Sequence, residues 1–235
     1  WGVTYFSVFY FTYKLDRMGF FVPSVPFSMN MTPPDHQKKE IREAMDVFEA
    51  ETCLKFRPAT SSDVNKVRFK QGQGYVDSVS HRDRVRDSKG LYWHEIGHAI
   101  GLVHEHQLPE RNQYVKVNWG NVNPAFNSAF STYTDSELER FGIPYDLSSI
   151  MHYEVKAFSQ TGGQTIIPRD RSKESWIGNV WISQMSFTDV MIINRMYKCA
   201  GTSNLPERER SLPISPSSYF SISMESCCTR VGVLR

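Results

Sequence analysis

Four of the seven histidines fall within thirteen residues, at positions 94, 98, 104 and 106. The stretch reads His94-Glu95-Ile96-Gly97-His98-Ala99-Ile100-Gly101-Leu102-Val103-His104-Glu105. Residues four apart share a helix face, so His94 and His98 can aim two imidazoles at one cation. The helix must then end for the chain to fold back, and Gly101 supplies the backbone freedom for that reversal. His104 can then close a third vertex. Three neutral imidazoles leave zinc an open position for water, which separates a catalytic site from a closed structural one. Glu95 lies one step aside, near enough to hold that water without being a ligand. His106 fits no ligand spacing and reads as a surface histidine, as do His36 and His81. His-Glu-x-x-His alone arises by chance about once in 100 chains of this composition, and adding Gly101 and His104 lowers that to about 1 in 50,000.

The rest of the composition narrows the setting. With 235 residues the chain can bury a substantial core, and a formal net charge of +2 advertises neither a nucleic-acid nor an anionic-membrane surface. No run approaches the roughly 20 apolar residues that span a bilayer, so the folded part is expected to be soluble. The sequence opens on Trp1 without a secretory-signal pattern and reads as a fragment or a processed chain. Of the cysteines, Cys53 and Cys199 bracket the most strongly patterned region, whereas Cys227 and Cys228 lie near the end. A Cys53–Cys199 bridge would imply an oxidising compartment; two free buried thiols are the other reading.

Residues 1–22 are aromatic and apolar without a clean period, which suits a packed strand better than a membrane anchor. After Pro33 and Pro34 the pattern turns helical from Asp35 to Ala50, with Ile41, Ala44, Met45 and Phe48 on one face. Cys53 to Arg57 and Val67 to Lys70 alternate as strands of one sheet. Lys89 to Ile100 is a second helix, Asn123-Pro124 opens a third through Phe130, and Ser186 with Asp189 makes a capping-box start for a helix reaching Tyr197. From Gly201 onward the chain is rich in Ser, Pro and Arg, and a disordered tail is expected.

His-Glu-x-x-His-x-x-Gly-x-x-His followed by a later Met-turn is the metzincin pattern. Glu105 after the third His, together with Ser149-Ile150-Met151-His152-Tyr153, resembles the astacin family within it. The resemblance extends to Thr52-Cys53-Leu54-Lys55-Phe56, Pro144-Tyr145-Asp146, Thr165-Ile166-Ile167-Pro168 and Tyr197-Lys198-Cys199, and so covers roughly Val25 to Cys199. It implies that Met151 lies in a tight turn beneath the metal as a support. It implies that Tyr153 approaches the zinc as a displaceable ligand and then donates its hydroxyl to the oxyanion. It also implies that Glu105 meets a new N-terminal ammonium once a pro-segment is removed, and that Cys53 pairs with Cys199. Three features depart from the family pattern. A second disulfide is missing, with Tyr75 and Arg86 in its place; the Arg after the third His is Leu108; and Gly178-Asn179-Val180 stands where many relatives read Gly-Gln-Arg.

The resemblance predicts an α+β fold: a two-lobed, metzincin-like catalytic domain over residues 23–200, with a twisted mixed sheet, an active-site helix and an irregular lower lobe. Residues 1–22 stay unassigned and 201–235 form the tail. The expected function is that of a secreted, extracellular zinc endopeptidase with one Zn2+ per chain. His94, His98 and His104 are the expected ligands, Glu95 and Tyr153 the catalytic pair, and Met151, Glu105 and Gly101 the supports. Its partners would be protein or peptide substrates, with no nucleic acid and no membrane attachment. Two rival readings are a catalytically silent secreted scaffold that binds proteins and a membrane-tethered matrix protein.

Overall fold

In the computed structural model, the structure describes residues 5–9, 24–29, 35–63, 66–72, 89–178 and 185–199. Strands β1 (Tyr5–Phe9) and β2 (Ser24–Met29) precede helix α1 (Asp35–Glu51). Strands β3 (Lys55–Pro58) and β4 (Val67–Gly72) follow, then helix α2 (Lys89–Ala99). Two short strands, β5 (Val115–Val117) and β6 (Ile166–Pro168), and helix α3 (Phe187–Met196) come next, with short 3-10 segments between them. The mixture of helices and strands is α+β.

β1, β4, β2 and β3 form one mixed sheet in that order. β2 runs parallel to both β3 and β4, whereas β1 pairs antiparallel with β4 from Tyr5 opposite Gly72 to Phe9 opposite Arg68. The aromatic start of the chain therefore supplies an edge strand. α1 lays the face predicted from its period against this sheet, with Ile41, Ala44, Met45 and Phe48 fully buried. They share a core with Val25, Phe56, Val67 and Phe69 of the strands and with Tyr92 and Ile96 of α2. Ile150, Met151 and Ile193 belong to the same cluster, which ties the segments around the expected Met-turn to the sheet side. A second cluster holds Leu108, Val115, Val117, Phe130, Tyr145 and Ile166. Leu108 is thus a core residue, 2% exposed.

Local signals placed most elements within a residue or two. β3 starts later than the alternation suggested because Thr52 is still bound to the end of α1, its N–H donating to Phe48 O at 2.9 Å. The third helix is a correction of type: Pro124–Phe130 is 3-10, capped by the Asn123 side chain on the Ala125 N–H, and its regular φ/ψ is broken at Phe126. α3 carries the capping box, with the Ser186 and Asp189 side chains each accepting from the other's backbone N–H. Cys53 and Cys199 are joined as a disulfide, 146 positions apart in sequence and 5.3 Å between Cα atoms. Closing so long a loop constrains the unfolded chain by about 5 kcal/mol in the chain-entropy picture. The tail at 201–235, His81, the Tyr75 and Arg86 positions and Asn179-Val180 lie outside the described residues.

Candidate metal centre

α2 carries His94 and His98 one turn apart, with ring centroids 4.6 Å from each other and nearly perpendicular. The helix stops because Gly101 adopts φ +107, a conformation that a side chain would strain. Its N–H bonds His98 O while Leu102 N–H reaches back to Gly97 O, and the chain turns so that His104 meets the other two. The Nε2 atoms are then 3.1 Å apart for His94–His98, 3.2 Å for His94–His104 and 3.0 Å for His98–His104.

The outer nitrogen of each ring identifies its tautomer. His94 Nδ1–H donates to Ile150 O at 2.7 Å, and His98 Nδ1–H donates to Leu102 O at 2.9 Å. His104 Nδ1–H donates to Gln107 Oε1 at 2.9 Å, and the Gln107 amide is oriented by its Nε2–H on Ser131 O. With the proton on Nδ1, each Nε2 presents a lone pair, and three lone pairs face one point with no hydrogen between them. Such a cluster is repulsive unless a cation fills it. Tetrahedral zinc with Zn–N of about 2.05 Å needs its nitrogens about 3.3 Å apart, close to the spacing found here. The residues present therefore fit zinc. Burial, with repulsion among the rings at His98 and His104, holds all three imidazoles below the usual histidine range and so in the neutral form that binds metal.

The turn after the centre is held from below. Met151 is buried in the core, and its Sδ lies so near Gly97 that a Cβ there would stand 2.9 Å from it. Ser149 Oγ–H donates to Asp189 Oδ1 at 2.6 Å, and Ile150 N–H donates to Asp189 Oδ2 at 3.0 Å. Asp189, noted from sequence only as a helix cap, thus fixes the same Ile150 residue whose carbonyl orients His94. Burial pushes its carboxyl up, against the pull of the Ser149 hydroxyl and the Ile150 and Ser186 amides.

Glu105 donates its N–H to Met151 O at 3.0 Å and accepts the Asp146 N–H on Oε1 at 2.7 Å. Burial pushes its carboxyl up to about 8, opposed by the Asp146 amide and by the charge of Arg140. Of residues 1–22, within which the chain start expected to meet Glu105 falls, only Tyr5–Phe9 are described, in β1. Glu95, next to His94 on α2, and Tyr153 are both half-buried, and the Tyr153 ring centroid is 4.5 Å from that of His104.

His106 is a correction: it is not a surface residue but fully buried. Its Nε2–H donates to Ala129 O at 3.0 Å and its ring packs edge-on to Phe130. A one-dimensional spacing test for metal ligands could not see this, since the residues that bury it are more than twenty positions downstream. His36 is exposed as expected. Gln107 and His152 were also missed. His152 Nδ1–H donates to Tyr153 O at 2.7 Å while its Nε2 accepts the Tyr145 hydroxyl at 2.8 Å.

A helix-borne three-histidine centre with a glycine turn and a methionine-bearing turn beneath it defines a class of metal-dependent peptidase folds. Residues 21–198 match the peptidase family described as Astacin, and the chain belongs to that family. It is 31% identical over 186 residues to zinc metalloproteinase nas-14 of Caenorhabditis elegans, covering 74% of this chain and 36% of that protein. It is 34% identical over 195 residues to the astacin-like metalloendopeptidase of Gallus gallus, covering 77% of this chain and 45% of that one. The chain thus spans less than half the length of these relatives. Among solved structures it is similar to high choriolytic enzyme 1, a hatching enzyme zinc-protease of the medaka Oryzias latipes. The TM-score is 0.59 and the identity 27%, over 75% of this chain and 90% of that one.

Proposed function

We propose that this protein is a secreted zinc endopeptidase acting on protein or peptide substrates in the extracellular space. The observation that carries the reading is the convergence of three Nε2 lone pairs, each imidazole turned by a hydrogen bond at its other nitrogen. Family membership and the Cys53–Cys199 bridge, which suits an oxidising compartment, support it.

In this reading His94, His98 and His104 hold one Zn2+, and residues 23–200 are the catalytic domain, with 1–22 and 201–235 as flanking segments. The two core clusters support a two-lobed arrangement with the substrate between the lobes. Zinc bound there supplies Lewis acidity to the scissile carbonyl and to the attacking water. Glu95, next to His94 on α2, takes a proton from that water and passes it to the leaving amine. Tyr153 donates its hydroxyl to the oxygen on which charge develops. Met151, Gly101 and Glu105 hold the frame: the first fills the space under Gly97, the second ends α2, and the third binds the Asp146 amide.

The test is turnover of a complex peptide mixture with zinc content measured on the same sample, for the parent chain and for Glu95→Gln. The variant keeps zinc and loses turnover by about 10² to 10⁴. A zinc-loaded parent that cleaves nothing points instead to the silent scaffold, and near-normal turnover in Glu95→Gln removes Glu95 from the chemistry.

A further inference from the structure

The single turn Glu105–Gln107 follows His104 directly, and each of its residues faces a different part of the site. Glu105 binds the Asp146 amide and Gln107 orients the His104 ring. His106 lies between them with no exposed surface, in a position that an apolar side chain could fill. Its Nδ1 has no hydrogen-bond partner among the described residues, a cost of about 1 to 3 kcal/mol that a leucine would not incur. The flat ring must therefore serve something that an aliphatic group would not.

Its neighbour is Tyr153. The His106 and Tyr153 rings are stacked, with centroids 3.9 Å apart and planes 25° from parallel. Three other aromatic neighbours of Tyr153 stand off or tilt: His104 at 4.5 Å and 59°, Phe158 at 5.5 Å, Phe130 at 6.2 Å. His106 is itself immobilised. Its Nε2–H is on Ala129 O, and Arg111 Nη1 donates both to His106 O at 3.0 Å and to Phe130 O. Arg111 is buried, and its guanidinium ties the backbone under His106 to the wall behind it. The backbone of Tyr153 is gripped separately through His152.

We infer that His106 is a positioning residue, the rigid floor on which the Tyr153 ring rests so that its hydroxyl is presented toward the three-histidine centre. This rests on the reading of Tyr153 as the oxyanion donor. A stacked imidazole restricts the ring's tilt about χ1 and χ2 while allowing it to slide in its own plane. An aliphatic side chain fills the volume without fixing the plane. The effect belongs to the transition state, so it falls on kcat rather than on substrate affinity.

The experiment is a double-mutant cycle on the full chain, with zinc content measured for every protein. His106→Leu is expected to lower kcat about tenfold with KM within about twofold of the parent. On a Tyr153→Phe background the same substitution is expected to cost less than about twofold, because no hydroxyl remains to be misplaced. His106→Phe, which restores a flat ring but not the bond to Ala129 O, is expected to recover most of the loss. A readout independent of turnover is the ring resonance of Tyr153 in tyrosine-labelled protein, assigned by its disappearance in Tyr153→Phe. Ring current from His106 displaces it upfield, His106→Leu removes that displacement, and His106→Phe retains it. Equal losses on the two backgrounds, or a Tyr153 resonance indifferent to His106→Leu, overturn the inference. If Tyr153→Phe itself leaves kcat unchanged, the oxyanion role is what fails, while the resonance still decides whether His106 sets the pose.

Discussion

Asp189, in the first turn of α3, accepts the amide of Ile150, 39 positions before it, at 3.0 Å, and the carbonyl of Ile150 in turn accepts the Nδ1–H of His94 at 2.7 Å. The N3 carboxylate of a helix capping box and the His94 imidazole are therefore two hydrogen bonds apart through one residue. The same carboxylate also takes the Ser149 hydroxyl and the Ser186 amide, so donors surround it.

Asp189→Asn keeps the size of that side chain but replaces one acceptor oxygen by a donor that faces another donor. Zinc affinity is expected to fall about tenfold, in line with other outer-sphere partners of metal ligands. Competition against a chromophoric chelator measures it, and unchanged affinity would cut the link between α3 and the metal centre.

Gln107 gives a second outer-sphere test on a different proposed ligand, His104. His94→Ala, His98→Ala and His104→Ala each remove a donor nitrogen and should lose most of the zinc. Gln107→Ala frees the His104 ring and should weaken binding by about 10 to 100-fold without abolishing it. His106→Ala should keep its zinc, since its Nε2–H is committed to Ala129 O. Metal analysis after dialysis ranks the five variants, and zinc loss in His106→Ala as deep as in the ligand variants contradicts the assignment.

His152 predicts a pH dependence. Burial lowers its pKa from 6.5 to about 4, with the Tyr153 carbonyl and Asp146 pulling the other way. The folded protein therefore favours neutral His152, and between these values the unfolded chain binds the extra proton. Stability from this group is complete above pH 6.5 and is lost as the pH falls toward 4, by about 3 kcal/mol over the full window. The difference in unfolding free energy between the parent and His152→Gln should shrink across that range, and subtracting the two cancels the other histidines they share. A difference independent of pH would mean that His152 is already protonated in the fold.

What the sequence made legible was local. The apolar period of α1, the glycine stop after His98 and the Ser186/Asp189 capping box are decided by neighbours within a turn or two, and each stands as expected. The sheet order was not, because β2 pairs in parallel with both β3 and β4, and parallel partners leave no hairpin turn to read. His94, His98 and His104 were visible as a spacing, whereas His106 was misjudged by the same spacing. Its burial depends on Ala129, Phe130 and Tyr153, which only the folded chain brings to it. Asp189 lay between these cases: its capping role was written in Ser186-x-x-Asp189, but its hold on Ile150 was not.

The Cys53–Cys199 bond encloses every residue of the centre, from His94 to Tyr153 and on to Asp189, within one covalent ring. A single backbone cut anywhere inside that ring, for instance in the exposed stretch around Asp135 and Ser136, leaves the two pieces chemically attached. Such a nicked protein migrates as one band until a reductant is added and then separates into two. The bridge thus converts a severing event into an opened loop, and the segments that carry the three histidines stay within reach of one another.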